Sequence, residues 1–315
     1  MKKLLAVCSA AVILGISIAG CGQSKWPTKS IEFVVPFSAG GGSDVFARTV
    51  ADYVNTNKLL DQPLVVVNKP GGSGVIGYTY VKEKKDEYTI SVNVAGDIAT
   101  WVGRDTGLMF SDFKPICMLA EDVFVLLVSA DSDFHSLDDL IKYSHEHPGT
   151  VKFGSSGVGG CDYTLHEMMV KQTGIDSECI GFDGNGEIAS AILGGHITAS
   201  WTVPSAAKGQ IDAGTMRALA VASTAAPAML PDVPTTAEIG YPELLMTQYR
   251  AIMAPKSMSD DHINLLAETF KKVADSKEFQ EDYLAANGLQ LNYRNPQEYA
   301  AEVARLEELF RGINK

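Results

Sequence analysis

Between Ile31 and Asp44 a short apolar run, three consecutive glycines and a helix start follow one another, and few folds can use that order. Ile31 to Phe37 is apolar and β-branched over the length of a buried strand. Gly40, Gly41 and Gly42 let the backbone turn through conformations that a side chain forbids, and they bare its N–H groups. Ser43 and Asp44 are N-cap residue types. After them Val45, Phe46, Thr49, Val50, Tyr53 and Val54 make a helical apolar face. Such a unit presents unpaired N–H groups and the positive end of a helix dipole to whatever sits above it. It reads as an anion site, and the competing reading is a tight βα turn that needs glycine for geometry alone.

The arrangement recurs about 115 residues later. Val151-Lys152-Phe153 is strand-like, Gly154 to Gly160 is a second glycine-serine turn, and Cys161 to Thr164 lead into a helix that Gly174 stops. A third glycine turn, Phe182 to Gly186, precedes a helix over 187–193. The stretches 63–68 and 89–94 read as strands, and the strand–helix alternation over 31–103 predicts a parallel α/β sheet. Further strands are expected at 124–129, 197–202, 218–222 and 249–255. Ser136 caps an amphipathic helix that His147-Pro148-Gly149 ends. A short capped helix is expected within 231–242, and three tail helices over 260–276, 277–286 and 296–312. Two anion-ready turns, each heading its own α/β unit, predict two lobes that face one another over a cleft, with the ligand at the carboxyl ends of the strands.

The start of the chain has the build of a secretory signal peptide. Met1-Lys2-Lys3 is basic, Leu4 to Gly20 is uncharged and apolar, and Ile18-Ala19-Gly20 are small residues before Cys21. The ending resembles the bacterial lipobox, which makes Cys21 the expected lipidation site, residues 1–20 the leader and 21–25 a polar tether. An uncleaved anchor is the rival reading. The formal net charge is −12, and removing residues 1–20 takes away Lys2 and Lys3 and no acid, leaving −14. So acidic a chain argues against a nucleic-acid partner. It is compatible with a small anion held by local backbone dipoles.

No metal site is expected. Cysteines beyond the leader are Cys21, Cys117, Cys161 and Cys179, without any Cys-x-x-Cys pair. A Cys161–Cys179 disulfide is one reading for an oxidising compartment, and three idle thiols the other. His166-Glu167 is followed by Val170 where a zinc protease motif needs histidine. Gly-x-Ser-x-Gly after a strand is absent. Gly72, Gly74 and Gly77 spell a dinucleotide fingerprint with Asp97 beyond it, but in a second βα turn rather than a first. Close packing of a helix on a strand end explains those glycines at less cost. No catalytic residue and no cofactor is therefore expected. A nucleotide-dependent enzyme is the enzymatic alternative, and a lipoprotein that informs a membrane kinase is a third.

Six motifs in order carry a family resemblance: Val35-Pro36-Phe37-Ser38-Ala39-Gly40-Gly41-Gly42-Ser43-Asp44 with Arg48; Val67 to Gly74; Phe153 to Gly159; Leu193-Gly194-Gly195-His196; Arg217 to Val221; and Leu230 to Thr235. Over nearly all of the mature chain the sequence resembles the substrate-binding receptors of tripartite tricarboxylate transporters, the Bug-type extracytoplasmic solute receptors. The resemblance implies an α/β, two-lobed Venus-flytrap fold with two chain crossings. One lobe is expected over 26–124 plus 248–315 and the other over 125–247, with crossings near Phe124–Ser129 and Tyr249–Pro255. It implies an extracytoplasmic, lipid-anchored receptor that delivers a small carboxylate to membrane transport components. The carboxylate is a di- or tricarboxylate, an amino acid or an aromatic acid. The expected contacts are Ser38, Ala39, Gly40, Gly41, Ser43 and Asp44 from the first turn, Ser155, Ser156, Gly157 and Gly159 from the second, and Phe182 and Asp183 on a third side. Two places depart from the family pattern. Lys85-Asp86-Glu87-Tyr88-Thr89 stands for Pro-Asp-Gly-Tyr-Thr, and Phe182-Asp183-Gly184 for Tyr-Lys-Gly. The second loses a cation near the cleft, which weighs against a multiply charged ligand and admits one whose ammonium Asp183 meets.

Overall fold

The computed structural model describes residues 26–40, 42–156, 159–182 and 185–313. The expected leader, Cys21 and its tether lie outside the described residues, as do Gly41, Gly157 and Asp183. The first half runs β1 (Ile31–Val35), α1 (Gly42–Thr56), β2 (Leu64–Asn68), α2 (Val75–Glu83), β3 (Thr89–Val94), α3 (Ala95–Gly103), β4 (Phe113–Val123), β5 (Val125–Ser129), α4 (Leu137–Glu146) and β6 (Val151–Ser155). It continues through α5 (Cys161–Thr173), β7 (Ser177–Gly181), α6 (Asn185–Leu193), β8 (Ala199–Thr202), α7 (Pro204–Asp212), β9 (Met216–Val221), β10 (Thr247–Pro255) and α8 (Asp260–Ala274). A π-helical turn over Glu278–Leu284, α9 (Ala285–Asn287), β11 (Gln290–Arg294) and α10 (Pro296–Ile313) complete it.

These strands form two sheets, in the orders β11-β4-β10-β3-β1-β2 and β7-β6-β8-β5-β9. The chain passes from the first to the second at Phe124, between β4 and β5, and returns between β9 and β10. The opening strands β2, β1 and β3 pair in parallel, as alternation with helices requires. Beyond the opening strands the sheet is mixed: β10 inserts antiparallel between β3 and β4, and β11 adds antiparallel at the edge. In the second sheet β6 pairs in parallel with β7 and β8, whereas β5 runs antiparallel to β8 and β9.

Local signals act where the chemistry demands them. Ser136 accepts a hydrogen bond from the Asp139 N–H at 3.1 Å and starts α4. Gly174 ends α5 at φ 69°. A Cβ at Gly77 would stand 2.8 Å from the Lys69 carbonyl and the Pro36 Cα. Only glycine lets α2 lie that close to β1, which is the packing reason for the fingerprint-like spacing. The capped helix expected in 231–242 is a turn: Thr235 and Glu238 exchange the capping-box bonds, at 2.8 and 3.2 Å, but no helix propagates.

One apolar cluster crosses between the sheets. It joins Val34, Tyr78 and Met118 to Leu126, Phe153 and Trp201 through Phe124, Met246 and Tyr249. Separate clusters fill the outer side of each lobe, around Phe46 and Phe270 in the first and Ile188 and Ile192 in the second.

Candidate functional site

A cleft of about 880 Å³ lies between the two sheets. Five helices, α1, α3, α5, α6 and α7, have residues of their first turns or caps on its wall, namely Gly42, Gly96, Cys161, Asn185 and Val203. Each sits after the carboxyl end of a strand of its own lobe. Helix N-termini carry unpaired N–H groups and about half a positive charge. Five of them on one cavity favour an anion.

Three acids stand among these helix starts, and each is turned onto backbone or neighbouring donors. Asp44 accepts from the Gly40 N–H at 2.8 Å, from Arg48 Nε at 2.9 Å and from Asn68 Nδ2 at 2.9 Å. The bond from Arg48, chiefly, holds its carboxyl down at about 2 against the desolvation that pushes the other way. Asp162 accepts from the Ser156 N–H and, at 2.7 Å, from the Ser156 hydroxyl, while burial pushes its pKa upward. Asp97 is buried in α3's first turn, where it accepts from Tyr78 Oη, from Asn93 Nδ2 at 3.1 Å and from the Val94 N–H at 2.8 Å. Burial outweighs these bonds and raises its pKa to about 7. Tyr249 and Tyr299 both donate to Asn93 Oδ1, at 2.7 and 2.5 Å, so the node under α3 also fixes β10.

Gln248 ties the lobes together. Its Oε1 accepts from the Gly96 N–H at 3.0 Å and from Cys161 Sγ at 3.5 Å, joining the starts of α3 and α5. Two positions on from it, Arg250 places Nη2 2.6 Å from Asp122 Oδ2.

Of the residues named from sequence, Gly40, Ser43 and Ser156 line the cleft. Ser38 and Ala39 are exposed on the same turn, and Asp44 is buried beneath it. Ser155 is fully buried, and Gly159 lies partly buried in the second turn at φ 90°. Phe182 borders a separate hollow with Glu187 and His196. Gln248, Arg250, Arg104, Asn185 and Thr202 line the cleft without having been picked out from the sequence. An arginine in the otherwise apolar stretch 249–255 was the one available signal. Cys117, Cys161 and Cys179 are free thiols, with burial raising the pKa of all three. Among the described residues no group of His, Cys, Asp and Glu is placed to hold a metal.

Two α/β lobes hinged by two crossings, with helix starts converging on the cleft between them, define a periplasmic solute-binding protein. Residues 46–312 match the model of the tripartite tricarboxylate transporter family receptor. The chain belongs to that family, a family of solute-binding receptors rather than enzymes. It is 31% identical over 290 residues to protein BugT of Bordetella pertussis, covering 90% of this chain and 88% of BugT. The R. palustris protein Rpa4515 with adipate superposes with a TM-score of 0.79 at 26% identity, over 91% of this chain and 97% of that one. MatC from Rhodopseudomonas palustris with bound malate shares the fold, with a TM-score of 0.76 at 21% identity over 92% of this chain and 100% of MatC. Receptors of this family are extracytoplasmic. No helix among the described residues is long and apolar enough to cross a membrane.

Proposed function

We propose that this chain is a lipoprotein receptor, anchored through Cys21, that captures a small carboxylate between its lobes and hands it to the membrane components of a tripartite tricarboxylate-type transporter. The observation that carries the reading is the convergence of five helix starts, from both sheets, on one cleft. The lobes are taken as 26–124 plus 248–315 and 125–247. The ligand's carboxylate sits between the turns Ser38–Asp44 and 154–159, with Asp183 on the third side; Phe182, which borders the separate hollow, is not a contact. Ser43 and Ser156 face it, whereas Asp44 and Ser155 shape the turns from beneath. The adipate bound by Rpa4515 and the malate bound by MatC support the ligand class. The chain departs from the family pattern at Asp183, whose acid selects what else the ligand carries. Closure of the lobes on the ligand is a hinge motion of the kind two-lobed receptors use.

The test is calorimetric titration of the chain lacking residues 1–20 with mono-, di- and tricarboxylates, with small-angle scattering on the same samples. Binding of one class with compaction is expected. Gly157→Val, by filling the second turn, is expected to abolish binding while the thermal unfolding transition persists. Full binding in that variant would move the site elsewhere.

A further inference from the structure

Arg250 occupies a place that needs an anion. It pairs in register with Val94, the residue just before α3, and its guanidinium lies against Gly42, the first residue of α1. A Cβ at Gly42 would stand 3.3 Å from both terminal nitrogens of Arg250. The cation is thus set beside the N-terminus of α1, where a positive charge is disfavoured. Asp122 compensates it on one edge only. The bond from Nη2 to Asp122 Oδ2 is the guanidinium's single hydrogen bond within the described residues, and buried Nε has no partner there. Asp122 is fully buried, and its Oδ1 also lacks a partner. A buried pair with one atom unsatisfied on each side is a poor structural bond. As one wall of a cavity it is a cation held in position with donors to spare.

We propose that Arg250 is the residue by which the cleft recognises a second carboxylate on its ligand, so that the receptor selects diacids over monoacids of the same length. This rests on the carboxylate reading above and deepens it. The planar fork of arginine grips a carboxylate with two parallel bonds, a geometry lysine lacks. Gly42, lacking a side chain, lets the fork lie against the start of α1, and Arg250 lines the cleft there. Tyr283 and Asn287 also line the cleft. The cation missing at the third turn, where the family pattern has lysine and this chain has Asp183, is in effect relocated to the crossing strand.

The experiment compares succinate with butyrate and adipate with hexanoate by calorimetry, pairs that differ only in the second acid group. The variants are Arg250→Met with Asp122→Asn, which leaves no buried charge orphaned, and Arg250→Lys, which keeps the charge without the fork. Wild type is expected to bind the diacid of one pair at least about tenfold more tightly than its partner. The double variant should lose on the order of tenfold to a hundredfold for that diacid and less than about threefold for the monoacid. Arg250→Lys should fall between, and it decides the matter if the double variant does not fold. Diacid affinity unchanged in the variants, or an equal loss for both members of a pair, overturns the assignment while leaving the carboxylate reading intact. A wild-type chain that binds none of the four while binding another carboxylate overturns the assignment alone, and one that binds no mono-, di- or tricarboxylate at all overturns both.

Discussion

Asp97 gives a quantitative handle on the cleft. Its carboxyl is 3% exposed, and its pKa moves from 3.8 to about 7 because burial outweighs three hydrogen bonds. An acid whose pKa rises on folding holds its proton more tightly in the native state. Between the two values the native protein binds the extra proton, so stability falls as pH climbs from about 4 to about 7. Each pH unit of differential binding is worth about 1.36 kcal/mol. Asp97 therefore costs up to about 4 kcal/mol at pH 8, an upper bound for a single buried carboxyl. Asp97→Asn keeps the shape and an oxygen to accept from Val94 N–H and Tyr78 Oη, and it cannot ionise. Urea unfolding of both proteins at pH 5, 6, 7 and 8 isolates the effect, because all other groups cancel in the difference. The variant is expected to gain on wild type by about 1 kcal/mol per pH unit between 5 and 7, levelling off above. Ligand affinity should follow the same titration, since an ionised Asp97 on the cleft wall repels a carboxylate. The groups around it, Tyr78, Asn93, Tyr249, Tyr299 and Cys161, do not ionise in that range, as burial raises the pKa of the tyrosines and the thiol. Parallel pH profiles for the two proteins would mean that Asp97 is ionised throughout, and the argument from burial would be wrong.

Gly77→Ala drives a methyl group to 2.8 Å from backbone atoms of β1's exit and of Lys69, which cannot swing aside. It should lower the unfolding free energy by about 1–3 kcal/mol, read as a reduced urea midpoint with an unchanged slope. Cys21→Ser should abolish metabolic labelling with palmitate and alter processing of the precursor; labelling that persists in this variant would refute the lipobox reading.

The strand–glycine–helix units were legible because each is written in contiguous residues: an apolar run, glycines, a cap, a periodic face. What the sequence hid is long-range. β4 (Phe113–Val123) carries Pro115 inside it and Glu121-Asp122 at its end, and both of its faces are largely buried, so neither alternation nor composition marks it as a strand. β10 reaches β3 and β4 across well over a hundred residues, and nothing local says that it will run antiparallel between them. The same distance hides Arg250 and Asp122. Each looks like a stray charge near an apolar run, and only the pairing of β4 with β10 reveals one ion pair on a cavity wall. The glycine turns pointed to N–H donors, but not to which of them folding consumes. The Gly40 N–H goes to Asp44 and the Ser156 N–H to Asp162, so the acids behind the turns spend donors that sequence reasoning left available.

That spending bears on how a chain of formal net charge −12 can hold an anion. At physiological ionic strength the repulsion from surface acids is screened beyond about 8 Å. The balance is set by groups on the cleft wall. Around α1, α3 and α5 the acids are already engaged, two of them with carboxyls pushed toward the neutral form by burial. At α7 the N-cap is Val203, Pro204 follows, and no side chain caps the helix. The start of α7, at Val203, lines the cleft from the second lobe, and Arg250 lines it from the first sheet. A ligand with an acid at each end can satisfy both only when the lobes are close. Its affinity for the closed form then exceeds that for the open one, and that difference is the free energy available to drive closure. A monoacid satisfies one side and leaves the equilibrium nearly where it was. Recognition of the second acid and closure of the hinge are on this account one event, measured twice.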